Sequence, residues 1–192
     1  MTFFALAMPL SAEPISRIHK HTRSVRFEGF ARADGLWDIE AHLTDIKPED
    51  YPLAPGVRPA GSPVHDMWIR LTIDRKMNVM GAEACTDAMP YPPYCAAIAP
   101  AYAALVGLNL MRGFRQALHE HFGLVRGCTH LTELLAQFPS AAIQVLAGEQ
   151  RDNQDTGRKP FQLDRCHALD TGGEAVRLYY PRWQREAKTG TD

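Results

Sequence analysis

Over residues 24–30, 36–43 and 65–74 apolar side chains recur at every second position, and from residue 110 onward they recur at every third or fourth. That change of period is the feature that most limits the folds open to this chain. A period of two belongs to half-buried strands, and a period near 3.6 belongs to helices. Residues 24–30 and 36–43 alternate around Ala33-Asp34-Gly35, a tight-turn signal in which Gly35 is free to take positive φ. Together they predict a β-hairpin over 23–46. A third strand is expected over 65–74, with Met67, Ile69, Leu71 and Ile73 on one face. Arg75-Lys76 makes the next turn, and a fourth strand follows over 78–86. The segment 47–63 carries Pro48, Pro52, Pro55, Pro59 and Pro63 and predicts a loop without regular structure, placed to cover a site.

Helices are expected from Cys95 onward. An alanine-rich helix covers 96–105. Asn109 caps a second, in which Leu110, Phe114, Leu118 and Phe122 fall at four-residue spacing before Gly123. A third starts near Cys128 and carries Leu131, Leu134, Leu135 and Phe138. It breaks at Pro139-Ser140, and a short helix or continuation runs over 141–146. The rest divides into a polar loop at 148–160, a C-terminal segment at 161–184 with a strand-like stretch at 175–180, and a tail at 185–192. Residues 1–22 are expected to be weakly structured. Strands first and helices after predict a single α+β domain over 1–192: an antiparallel β-meander with helices packed on one face.

Composition matters for what it excludes. With 192 residues, 22% charged and a net charge of -1, the chain has no electrostatic bias toward nucleic acid. No apolar run approaches the roughly 20 residues of a membrane span. The apolar stretch 3–10 lacks a basic flank, so it is not expected to be a secretion signal. Four cysteines, Cys85, Cys95, Cys128 and Cys166, are then expected to be reduced in a cytoplasmic protein. A small-molecule substrate and a homodimer are the partners this leaves open.

The chemistry gathers at element boundaries. Gly127-Cys128-Thr129-His130-Leu131 places a thiol and an imidazole two residues apart at the start of a helix. His65-Asp66 opens a strand, Cys95 opens a helix, and Cys166-His167 lies in the C-terminal segment. Thiolate and neutral imidazole are soft-metal ligands. Against this stands a plainer account, in which the cysteines are small buried side chains and the histidines are satisfied polar residues. For Cys85, in mid-strand, the plainer account is preferred. Arg23, Arg26, Arg32 and Arg70 lie on or near strands with Trp37 and Trp68, and guanidinium pairs bidentately with carboxylate. The alternative is a solvated strand face. Asp38 and Glu40 share one face and fit either an acid/base pair or a polar surface. No glycine-rich phosphate loop and no G-x-S-x-G occurs.

Several stretches resemble an uncharacterised bacterial family, a domain of unknown function of about this length. They are His19-x-x-x-Arg23, Gly29-Phe30-x-Arg32-x-Asp34-Gly35-Leu36-Trp37-Asp38-Ile39-Glu40, His65-Asp66-Met67, 127–131 and Asp164-x-Cys166-His167-Ala168. That resemblance implies no activity. In layout, residues 65–146 also resemble the NifU/IscU/SufU-type iron–sulfur scaffold proteins. His65 or Asp66 stands where that family has its first ligands, Cys95 where its second cysteine lies, and Cys128 where its third lies. The resemblance implies a NifU/IscU-like core with an added N-terminal hairpin and C-terminal segment. It also implies an iron–sulfur or sulfur-transfer role as one alternative. Two departures, His65 for a cysteine and Gly127 before Cys128, suit zinc or mononuclear iron as well.

The function expected from sequence is therefore a metal-binding protein, zinc or iron at a mixed Cys/His site, working as a small-molecule metalloenzyme on an organic acid. Its metal ligands would be His65, Cys95, Cys128 and His130. Asp66 and His130 would be catalytic, and Arg32, Trp37 and Arg70 would bind substrate. The alternatives are an iron–sulfur scaffold and a structural or partner-binding protein without catalysis.

Overall fold

Alternation turns every second side chain of a strand to one face, and here that face is apolar over three adjacent strands. In a computed structural model, which describes residues 10, 14–147, 157–160 and 162–185, the strands of the main sheet are β1 (Thr22–Ala31), β2 (Trp37–Ile46), β5 (Pro63–Ile73) and β6 (Val79–Ala88). They pair antiparallel in the order β1-β2-β5-β6, which is the expected meander. Trp37, Ile39, Ala41 and Leu43 of β2 and Met67, Ile69, Leu71 and Ile73 of β5 face inward. Gly35, at φ 82, makes the β1–β2 turn possible.

The segment between β2 and β5 is more regular than its prolines suggest. It holds a two-stranded ribbon, β3 (Tyr51–Leu53) and β4 (Gly56–Arg58). A strand with only one neighbour tolerates Pro52, because its missing N–H can face away from the pair. The base of the ribbon is closed by Gly61 N donating to Lys47 O and by Ala60 N donating to Asp50 Oδ1.

Helical elements cover the inner face. The stretch Ala96–Leu105 is a 3-10 helix with Pro100 inside it, burying Tyr102 and Leu105. Next come α1 (Phe114–Phe122), α2 (Thr129–Leu135) and α3 (Phe138–Ala147). Asn109 does not cap α1, whose N-cap is Gly113. Its amide instead donates to Lys76 O and Asn78 Oδ1, tying this chain segment to the β5–β6 turn. Pro139 falls in the first turn of α3, where no intrahelical N–H is required. Leu118, Phe122, Leu131, Leu134, Leu135, Phe138 and Ala142 complete one core with the sheet.

The α3 helix approaches β1 closely at Gly29, where an added Cβ would lie 2.2 Å from Val145 Cγ2. Gly29→Ala is therefore expected to destabilise the protein by about 1–3 kcal/mol, the usual range for overpacking. Chemical denaturation should show most of the loss restored in Gly29→Ala/Val145→Ala.

Where the sequence suggests one domain over 1–192, the chain groups into two compact units, residues 1–146 and 147–192. In the second, the strand-like stretch at 175–180 is a helix, α4 (Glu174–Tyr179). It follows the extended Gly173, buries Val176 and carries a Glu174–Arg177 pair one turn apart. Among the described residues no strand is there to pair with it. The apolar run 3–9, most of the polar loop at 148–160 and the tail from 186 lie outside the described residues. Among the described residues no helix is long and apolar enough to cross a membrane.

Candidate metal centre

The alternation that buries the core does not stop at Leu43. Asp45 is the next inward position on β2, and it is only 4% exposed. A carboxylate there demands partners, because desolvating an unpaired charge is costly. The register supplies them: Arg23 of β1 and His65 of β5 are the cross-strand neighbours of Asp45 on either side. Arg23 Nε donates to Asp45 Oδ1 at 2.8 Å and its terminal NH2 nitrogen to Oδ2 at 2.9 Å, a bidentate pair. His21 Nε2 lies 2.7 Å from Oδ1, and His65 Nδ1 lies 2.9 Å from Oδ2.

The fourth side comes from the helices. Cys128 precedes α2, and its backbone N–H donates to the Tyr102 hydroxyl at 3.0 Å. This anchors the first turn of α2 over the sheet and lays the His130 ring against that of His65, with centroids 3.9 Å apart. His130 Nε2 then faces Asp45 Oδ2 at 3.9 Å. Ligand atoms of Asp45, His65 and His130 all lie within 4.8 Å of one another, so the three could hold one metal ion.

Electrostatics favour the protonation states a metal needs. Burial opposes the charge of Asp45, but hydrogen bonds from Arg23 and His21 outweigh it and hold the carboxyl well below its usual range. Burial pushes His65 down, and the neighbouring His130 adds to this. Burial also pushes His130 down, with the charge of Arg23 acting the same way. An ionised carboxylate with two neutral imidazoles is a ligand set ready for a divalent cation.

The two depressed histidines also have a consequence for stability. Their folded pKa values lie below the unfolded value of about 6.5, so below that pH the unfolded chain binds more protons than the folded one. Stability of the metal-free protein should therefore fall as pH drops through about 6.5 toward the lower folded values. Thermal melts in chelator should show this slope, reduced in His130→Asn.

Residues 21–144 match the model of a family described as Protein of unknown function (DUF2889). The chain belongs to that family. The DUF2889 region begins at His21 and contains every residue of the cluster just described. Among curated proteins and among solved structures nothing matches the chain.

Within this DUF2889 chain the residues singled out from sequence fall into three groups. His65 and His130 meet at the centre. Cys128 sits beside it but on the far edge of the imidazole: its Sγ is 3.9 Å from His130 Nδ1, and it is not one of the three converging ligands. Cys95, which precedes the 3-10 helix Ala96–Leu105, is not part of the cluster either.

The remaining candidates are placed elsewhere by strand parity. Asp66 follows His65 and so points to the opposite face, where His42 Nε2 meets it at 2.6 Å. Trp37 is buried on the inner face at the other end of β2 from Asp45, about 26 Å away at ~3.3 Å per residue. Arg32 holds Asp34 and Asp38, and Arg70 holds Glu40 and Glu83 on the solvent face. Of the four arginines considered, Arg23 is the one at the centre. Cys166 is exposed in the second unit.

Asp45 is the residue that sequence reading misses. Its signal was an acidic side chain on an otherwise apolar strand face, the pattern Trp37, Ile39, Ala41, Leu43, Asp45.

Proposed function

We propose that this DUF2889 protein binds one transition-metal ion, zinc or iron, between Asp45, His65 and His130, and that the ion serves a small-molecule reaction. The observation carrying this is the convergence of a carboxylate and two imidazoles within 4.8 Å. Structural zinc sites are closed by four protein ligands, whereas catalytic sites keep three and leave a position open. Two histidines with one carboxylate are used both by hydrolytic zinc enzymes and by non-haem iron(II) enzymes. When bound, such an ion supplies Lewis acidity toward a substrate oxygen.

The chain's own residues do the positioning. Arg23 and His21 hold Oδ1 of Asp45, and Oδ2, which also accepts from Arg23, faces the two imidazoles. Cys128 Sγ lies beside Nδ1 of His130, and the other ring nitrogen, Nε2, is the one turned toward Asp45 Oδ2. His130 thus serves as ligand, and Asp66, on the other face, has no reach to the centre. None of Arg32, Trp37 and Arg70, the residues expected to bind an organic acid, lies at the centre, and the guanidinium that does, Arg23, is paired with Asp45. An iron–sulfur scaffold needs several thiolates, and no cysteine is among the three converging ligands.

Ligand replacement tests the proposal. His65→Ala and His130→Ala should each weaken zinc binding by at least about 100-fold, since even outer partners of metal ligands are worth 10–100-fold. Cys128→Ser and Cys95→Ser should leave it within a few-fold. Competition against a chromophoric chelator reads both. Retained affinity in the histidine variants, or its loss in the cysteine variants, would sink the assignment.

A further inference from the structure

The sheet has an open edge. β1 has β2 as its one neighbour, and among the described residues nothing pairs with its other side. It runs ten residues in unbroken register, and every residue except Phe27 is exposed. The opposite edge is treated differently: at β6, Val79 exchanges hydrogen bonds with Gly107 and Leu108. A long, regular edge with unpaired N–H and C=O groups is a template for another strand.

The sequence of β1 is complementary to itself in one antiparallel register. With the two-fold axis at Phe27, Arg26 lies opposite Glu28 of the second copy, and Glu28 lies opposite its Arg26. Phe27 then faces its own equivalent, and Val25, 39% exposed, faces a glycine, Gly29. Every nearby alternative is worse. A slip of two residues sets Arg26 against Arg26 or Glu28 against Glu28. A slip of one sets a charge against Phe27. Opposite charges directly across a strand pair stabilise, and like charges there repel. A groove of about 380 Å³ between Phe27–Gly29 and Gln137 with the α3 residues Ala141, Gln144 and Val145 leaves space beside Phe27 on the inner face.

We propose that β1 pairs antiparallel with β1 of a second copy of this chain, centred on Phe27, to form a continuous sheet with four strands from each copy. The interface is isologous, as a two-fold dimer requires. Arg26 and Glu28, 3.2 Å apart within one strand, become a cluster of four alternating charges across the axis. Neither Arg26 nor Glu28 is bonded to Asp45, His65 or His130, so substitutions there separate association from metal binding.

Charge reversal tests the register. The full chain should sediment as a dimer. Arg26→Glu should weaken association at least about tenfold, because it sets two pairs of like charges opposite each other. Arg26→Glu/Glu28→Arg should restore it. Zinc affinity should be unchanged throughout, which separates this result from the fate of the metal assignment. Should Arg26→Glu fail to fold by circular dichroism, Glu28→Arg alone makes the same prediction. A chain that stays monomeric at all concentrations, a dimer indifferent to Arg26→Glu, or a double variant that fails to recover would each overturn the proposal.

Discussion

Asp45→Ala is expected to lose about 3 kcal/mol of stability and all measurable zinc binding at once. The carboxylate is buried, and it is the shared acceptor of Arg23, His21 and His65. Removing it takes away the shared partner of a guanidinium and two imidazoles. Breaking a buried ion pair from one side costs about 3–5 kcal/mol. The low end applies here because the Arg23 side chain keeps 37% of its surface in water and recovers part of its hydration. For a unit of this size that corresponds to a fall in melting temperature of roughly 6–12 °C. Asp45→Asn separates the two losses. An amide keeps an acceptor for Arg23 and much of the packing, but it is a poor metal ligand. It should recover a large part of the melting temperature and little of the zinc affinity.

Phe138→Ala is expected to cost as much or more for a different reason. Phe138 is fully buried at the start of α3, and its ring meets Phe27 edge-on, with centroids 5.2 Å apart. Replacing a buried phenylalanine with alanine removes about 3–5 kcal/mol, through lost transfer energy and the cavity left behind. The effect should be confined to folding. Zinc affinity of the remaining folded protein, measured well below the melting transition, should match wild type. Equilibrium denaturation together with zinc titration distinguishes this outcome from that of Asp45→Ala.

The sheet was legible because its information is binary. Positions such as Met67, Ile69, Leu71 and Ile73 announce a covered face whatever lies above them. The alanine-rich stretch was harder: Pro100 withholds a backbone donor in mid-helix, and the chain resolves this as a 3-10 helix. The site was legible in part. His65 and His130 stood out as soft ligands at element boundaries, but the same parity that revealed the strands also decides which neighbours can share a centre. His65 and Asp66 cannot both face inward, nor can Trp37 and Arg70 line one pocket. Extending the alternation of β2 by one rung would have placed Asp45 beside His65. What no pattern in the chain expresses is the placement of α2 over the sheet. That depends on Tyr102 holding the backbone of Cys128 and on the core beneath it.

The central claim is that imidazole and carboxylate, and not thiolate, form the metal centre. Zinc-edge X-ray absorption of the full chain loaded with one equivalent of zinc tests it most directly. The expected result is a shell of nitrogen and oxygen at about 2.0–2.1 Å with imidazole scattering from two histidines. A sulfur shell at about 2.3 Å, or zinc that washes away on desalting, would contradict it.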